Sequence, residues 1–197
     1  MTVAVMVLAL SCASTGGAAA ASSEEPGGIV FSWEFDDPAA GTAGWRVAEG
    51  EFWDYKGTAT LSRDDTTFGN GMLRLDVDFT ADSRSEWSEP KIRTSLGKTI
   101  NMRGITKFVF DFYYNPQLSS SGGFNTKVLA QYGTDTTVDS VGSLINGQED
   151  AGNDFLKATV TLPIRRVSGS MDTVIFSIAG YLTDYKGPVF FDNIRWE

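Results

Sequence analysis

The sequence predicts an all-β protein, an antiparallel two-sheet β-sandwich of the jelly-roll kind. Three observations predict it. Apolar residues recur at every second position over several separate stretches, the pattern of strands with one face in a core. Clusters of Gly, Asn, Pro and Ser punctuate those stretches at the spacing of a sandwich. No segment carries a convincing amphipathic-helix period.

Residues 1–28 are low in complexity and end in Glu24-Glu25-Pro26-Gly27-Gly28, a linker composition, so the folded domain is expected over 29–197. Its first strand puts Ile29, Phe31, Trp33 and Phe35 on one face. The turn Gly69-Asn70-Gly71 runs into a strand whose core face is Leu73, Leu75, Val77 and Phe79, with Arg74, Asp76 and Asp78 opposite. Phe108, Phe110, Phe112 and Tyr114 form a second apolar face, Ala158, Val160 and Leu162 a third, and Val174, Phe176 and Ile178 a fourth. At the C-terminus, Phe190, Asp192, Ile194 and Trp196 share one phase, which points Asp192 inward. About ten strands are expected, with long polar loops over 115–125 and 133–154 that either shape a binding surface or move.

With 197 residues, 42% of them hydrophobic, the chain can bury one proper core. Twenty-five acids against 16 bases give a net charge of −9. Lys and Arg form no run that would prepare a surface for phosphate backbones or anionic lipid. Histidine is absent, which removes the usual general base near neutral pH, the commonest metal ligand and every Ser-His or Cys-His nucleophile. The single cysteine, Cys12, excludes an intrachain disulfide. It follows a short apolar stretch, Val3 to Leu10, and precedes a small-residue tract, which together read as an export signal with a tether. Ala9-Leu10-Ser11-Cys12 resembles a relaxed bacterial lipobox in which Cys12 is lipidated; cleavage near Ala18 to Ala21 is the alternative. The apolar run falls far short of the roughly 20 residues that a bilayer requires.

Two constellations are candidates for function. Trp87 stands in Arg84-Ser85-Glu86-Trp87-Ser88-Glu89 with no apolar partner until Ile92. An exposed aromatic plane suits the C–H face of a sugar ring, and Glu89 and Lys91 share its face in a strand. The competing reading packs Trp87 under a loop. Trp45 and Trp53 belong either to the core edge or to the ligand surface, and Tyr132 is a weaker candidate. The second constellation is acidic. An inward Asp192 needs a cation or donors, and Glu34 and Asp36 lie in the first strand, a common neighbour of the last in jelly rolls. Together they form either a structural Ca²⁺ site or a set of paired carboxylates. A glycosidase pair is poorly supported. Glu34-Phe35-Asp36-Asp37 lacks the third acid of a Glu-x-Asp-x-x-Glu strand, and the spacing of Glu86 and Glu89 puts them on opposite faces.

Three segments, 69–79, 85–92 and 179–194, resemble the mannan-binding family 27 carbohydrate-binding modules and, less closely, family 23. The resemblance spans roughly 29–197. It implies a β-sandwich that binds β-1,4-mannan, glucomannan or galactomannan in an open cleft by stacking on tryptophans, with a structural Ca²⁺ remote from the sugar. Trp87 matches a stacking tryptophan and Trp45 another. Glu89 and Lys91 match polar neighbours of the sugar, and Glu34 and Asp192 match calcium ligands. Pro90 departs from the pattern. No tryptophan occurs over 127–145, where a third platform is expected, and Tyr132 is the substitute there. Such modules are often appended to a mannanase catalytic domain, which this chain lacks. The expectation is an exported, monomeric, non-catalytic module, secreted or held at the cell surface. The alternatives are a small sandwich glycosidase or lyase using carboxylates or tyrosine, and a surface lipoprotein for protein adhesion.

Overall fold

Alternation of the kind described forces each strand to bury one face, and two sheets meet to do so. The computed structural model describes residues 31–82, 87–145, 148–164 and 169–197, and for 137–144 the backbone alone. Its strands are β1 (Phe31–Trp33), β2 (Arg46–Val47), β3 (Ala59–Asp64), β4 (Met72–Asp78), β5 (Lys91–Asn101) and β6 (Lys107–Tyr114). They continue as β7 (Gly123–Tyr132), β8 (Asp135–Leu144), β9 (Glu149–Gly152), β10 (Phe155–Pro163), β11 (Ser170–Tyr181) and β12 (Lys186–Trp196). The only helical turns among the described residues are two 3₁₀ turns, each opened by Pro behind an Asp or Asn cap.

One sheet runs β3-β4-β12-β6-β10-β9, with β1 also on β12, and the other runs β2-β5-β11-β7-β8. Every pairing is antiparallel. The first and last strands are neighbours as expected, Phe31 opposite Trp196. The four expected apolar faces line the space between the sheets, with Tyr114 half-buried at its margin. Phe110 meets Phe176 across that space with ring centroids 4.7 Å apart. Most of the expected loop over 133–154 is instead strand, β8 and β9, because its backbone groups find partners on β7 and β10.

In β12 the phase differs from the expectation. Asp192 lies opposite Asp111 and Arg195 opposite Val109, so β12 carries an extra residue there, and Asn193 adopts φ +51°. The bulge turns Ile194 and Trp196 inward while Phe190 and Asp192 lie on the outer face of the sheet. There Phe190 joins Met72, Tyr113 and Phe155 in a satellite cluster capped by Phe68. Asp192 is therefore buried, but on the outside of the sandwich. At the head of β4, a Cβ on Gly71 would stand 1.9 Å from Phe35 O, so glycine is what lets this turn close on the end of the first strand.

Candidate functional site

The outer face of the five-stranded sheet is built around β11. Ser177 pairs with Lys91 on one side and Lys127 on the other. Ser88 continues the ladder beyond β5, its N–H donating to Gly180 O at 3.1 Å and its carbonyl accepting from Gly180 N at 2.8 Å. That register sets Trp87 beside Tyr181, with ring centroids 4.7 Å apart and planes inclined at 43°. The next row holds Glu89 and Trp53, whose backbones exchange hydrogen bonds of 3.2 and 2.8 Å. Lys91, Ser177 and Lys127 form the row after that, followed by Arg46, Arg93 and Ile175.

The side chains of these rows are tied together. Glu89 is only 4% exposed. Its carboxylate is paired with Lys127 Nζ and accepts from Ser177 Oγ at 3.4 Å. The same ammonium lies 5.5 Å from the centre of the Trp53 ring, within cation–π range. Arg93 Nη1 reaches Glu51 Oε1 at 2.5 Å. Trp53 is 51% exposed and Tyr181 37%. The result is an aromatic rim over a polar floor, which can stack a ring and hydrogen-bond its hydroxyls.

The expected site residues therefore divide. Trp87, Trp53, Glu89 and Lys91 share this face. Trp45 does not: it is 2% exposed and packs on Trp33 with centroids 5.2 Å apart. A ring with both faces covered by core cannot stack a ligand, which overturns the expectation for Trp45. Tyr132 is 50% exposed but follows the inward phase of Val128 and Ala130, at the far end of β7 from the strand position that faces Tyr181. Its place is the sheet's opposite end, so it does not supply a platform beside Trp87. The sequence reading missed Tyr181, Lys127, Ser177, Glu51 and Arg93. Alternation along 173–181 carried the signal for Tyr181 and Ser177, and the inward Phe124, Thr126 and Val128 carried it for Lys127.

The acidic constellation lies on the outer face of the other sheet. Asp192 accepts from Asn193 N at 2.9 Å and from Asn70 Nδ2 at 3.4 Å. Burial, joined by the fields of Glu34, Asp36 and Asp111, pushes its carboxyl up to about 6 against the opposing Asn193 N–H. Glu34 is raised by burial and by Asp36, with Arg195 opposing. Asp111 is different. Against a burial cost that would raise it, hydrogen bonds from Thr159, Lys157 and Asn193 hold its carboxyl below the ordinary range. A buried carboxylate with amide donors but no ion pair among the described residues suits a hard cation. No three His, Cys, Asp or Glu side chains among the described residues converge as a ligand set, so Asp192 and Glu34 would be the carboxylate part of a shell completed by other oxygens. Cys12 lies outside the described residues.

No protein-family model matches the sequence, and no curated protein matches it. Solved structures do match in fold. The chain superposes on the CBM27-1 module of Caldicellulosiruptor saccharolyticus, solved with mannohexaose, with a TM-score of 0.63 at 20% identity over 83% of this chain and 95% of that one. TmCBM27, a carbohydrate-binding module of specific mannan recognition, gives 0.65 at 16% identity over 85% and 95%. CBM28, a module specific for non-crystalline cellulose, gives 0.59 at 18% over 78% and 88%. The architecture is thus the antiparallel β-sandwich of carbohydrate-binding modules. Within that class the chain has the fold of the family 27 modules.

Proposed function

We propose that this protein is a non-catalytic module that binds a β-1,4-linked polysaccharide of the mannan type on the outer face of its five-stranded sheet. The observation that carries the reading is the aromatic rim, Trp87 against Tyr181 with Trp53 beside it, standing over a hydrogen-bonding floor of Glu89, Lys91, Ser177 and Lys127. The fold shared with modules solved or described as binding mannan supports it. Glu51 and Glu89, carboxylates of this face among the described residues, are each held by a cation, an arrangement that orients them as acceptors for sugar hydroxyls. Affinity electrophoresis through galactomannan, glucomannan and a soluble β-1,4-glucan tests the reading. Retardation by the mannans is expected, with no reducing sugar released; free migration in all three gels would sink it.

The same reading takes the constellation of Glu34, Asp36 and Asp192 as a structural Ca²⁺ site and the domain as working beside a mannanase, as a monomer outside the cytoplasm. Lipidation at Cys12 would tether it to a membrane. Cys12→Ser is then expected to shift the protein from the membrane fraction to the soluble one in a bacterial host. Equal partition of the two forms would favour simple cleavage.

A further inference from the structure

The face that carries Trp87 collects cations, although the chain as a whole carries a net charge of −9. Lys91 and Arg93 point outward from β5, where Ile92 between them is buried in the core. Arg46 of β2 stands directly opposite Arg93, and its neighbour Val47 pairs with Ile92, so Arg46 shares the outward face. Lys127 faces Lys91 across Ser177. Four cations therefore occupy adjoining positions on three strands. Glu51 neutralises Arg93 and Glu89 neutralises Lys127. Arg46 and Lys91 have no ion pair among the described residues. A ligand that brings negative charge to this point supplies Arg46 and Lys91 with a counter-charge, and a neutral one does not. Lys91 also lines a depression of about 160 Å³ with Glu51, Lys127, Gln131 and Ser177, so its ammonium borders a concavity at the floor of the face.

We propose that this face prefers an anionic member of its polysaccharide class to a neutral one: a β-linked pyranose chain bearing carboxylates, as in uronic acids, or sulfate esters, with Arg46 and Lys91, which have no ion pair among the described residues, as the counter-charges. The inference rests on the reading of this face as a polysaccharide site and specifies the ligand's class. An arginine fork matches the paired oxygens of either group, and an ammonium supplies a point charge beside it.

Three ligands of equal length separate the possibilities. They are mannohexaose, the β-1,4-linked hexamer of mannuronate, which keeps the ring and linkage and carries a carboxylate at C6, and sulfated mannohexaose. Calorimetry is run at low salt and at about 0.5 M NaCl, where the Debye length is only a few ångströms. At low salt an anionic hexamer is expected to bind about tenfold more tightly than mannohexaose, the sum of two partly exposed ion pairs. Salt should shrink that advantage. Tighter binding of the mannuronate identifies carboxylate as the charge, and tighter binding of the sulfated ligand identifies sulfate. An Arg46→Gln, Lys91→Gln double variant should bind all three alike, whereas Arg46→Lys, Lys91→Arg, which retains the charge, should keep the preference. Melting curves check that both variants are folded. Mannohexaose binding as tightly as both anionic ligands, or a preference that survives in the double Gln variant, overturns the charge inference and leaves polysaccharide binding standing. Failure of all three ligands to bind sinks the polysaccharide reading itself, and the charge inference with it.

Discussion

At the residue scale the tryptophans separate by what covers their rings. Trp87 has a tyrosine beside it and the sheet's outer face in front of it, so its truncation removes a ligand contact and little core. Central aromatics at binding sites commonly cost ~2 kcal/mol or more on truncation, and 1.4 kcal/mol is a factor of ten. Trp87→Ala is expected to weaken binding of the polysaccharide roughly thirtyfold with a nearly unchanged melting temperature, both read on the same samples by calorimetry. Trp45→Ala should behave in the opposite way. Its ring is packed against Trp33 inside the core, and emptying such a site costs about 3–5 kcal/mol. A urea titration that left its stability at the wild-type value would contradict that placement. Neighbouring sequence did not distinguish the two residues, since Trp45 follows Ala43 and Gly44, both at positive φ. Its N–H closes a turn on Thr42 O at 3.0 Å. In such a turn, period-two reading has no meaning.

At the element scale, the connection between β11 and β12 is pinned to the segment before β7 by the Asp184 carboxylate together with Thr183 Oγ1 and Leu182 O. Asp184 accepts from Ser119 Oγ at 2.6 Å, Ser120 N at 2.8 Å and Ser120 Oγ at 2.5 Å. Those donors hold its carboxyl far below the ordinary range. The sign follows from linkage. A carboxyl depressed in the folded state stabilises the fold above its unfolded pKa of about 3.9, and that contribution is lost only as pH falls through the depressed folded value. Hydrogen-exchange protection of the Ser120 amide, corrected for intrinsic rates, should therefore persist to about pH 3, where an ordinary Asp is largely protonated. Asp184→Ala should remove it at neutral pH with the core strands still protected. Loss of protection in the wild type at pH 4 to 5 would show that the carboxylate is not held in this way. Ser119 to Gly123 reads locally as a polar loop, and its partner lies more than sixty residues away. That distance is why the sequence conveyed a turn but not a clasp.

For the whole molecule, the consequence is that two outer faces are insulated from each other. Trp87 and its neighbours occupy one sheet, while Glu34 and Asp192 occupy the other, and two sheets pack about 10 Å apart with the core between them. A cation bound only by the folded state stabilises by mass action, about 2.7 kcal/mol at a hundredfold excess over its Kd. EDTA is accordingly expected to lower the melting temperature while affinity for the polysaccharide stays near its starting value, and Asp192→Asn should abolish the EDTA effect. A melting curve indifferent to EDTA would remove the Ca²⁺ assignment. Joint loss of stability and affinity would mean that the faces are coupled through the core.

The sequence by itself determined the fold class, the four core faces and the grouping of Trp87, Glu89 and Lys91, because alternation is a local property: within one regular strand, residues two apart share a face wherever that strand docks. Only the tertiary structure decided which strands flank β11, and hence that Trp53, Tyr181, Lys127 and Arg46 join those three. It also decided that Asp192 turns outward. An extra residue in β12 shifts the phase, and a bulge exists only relative to the partner strand, here β6. Pairing between strands far apart in the chain depends on which edges remain to be satisfied once the core has closed, and no period within a single strand records that.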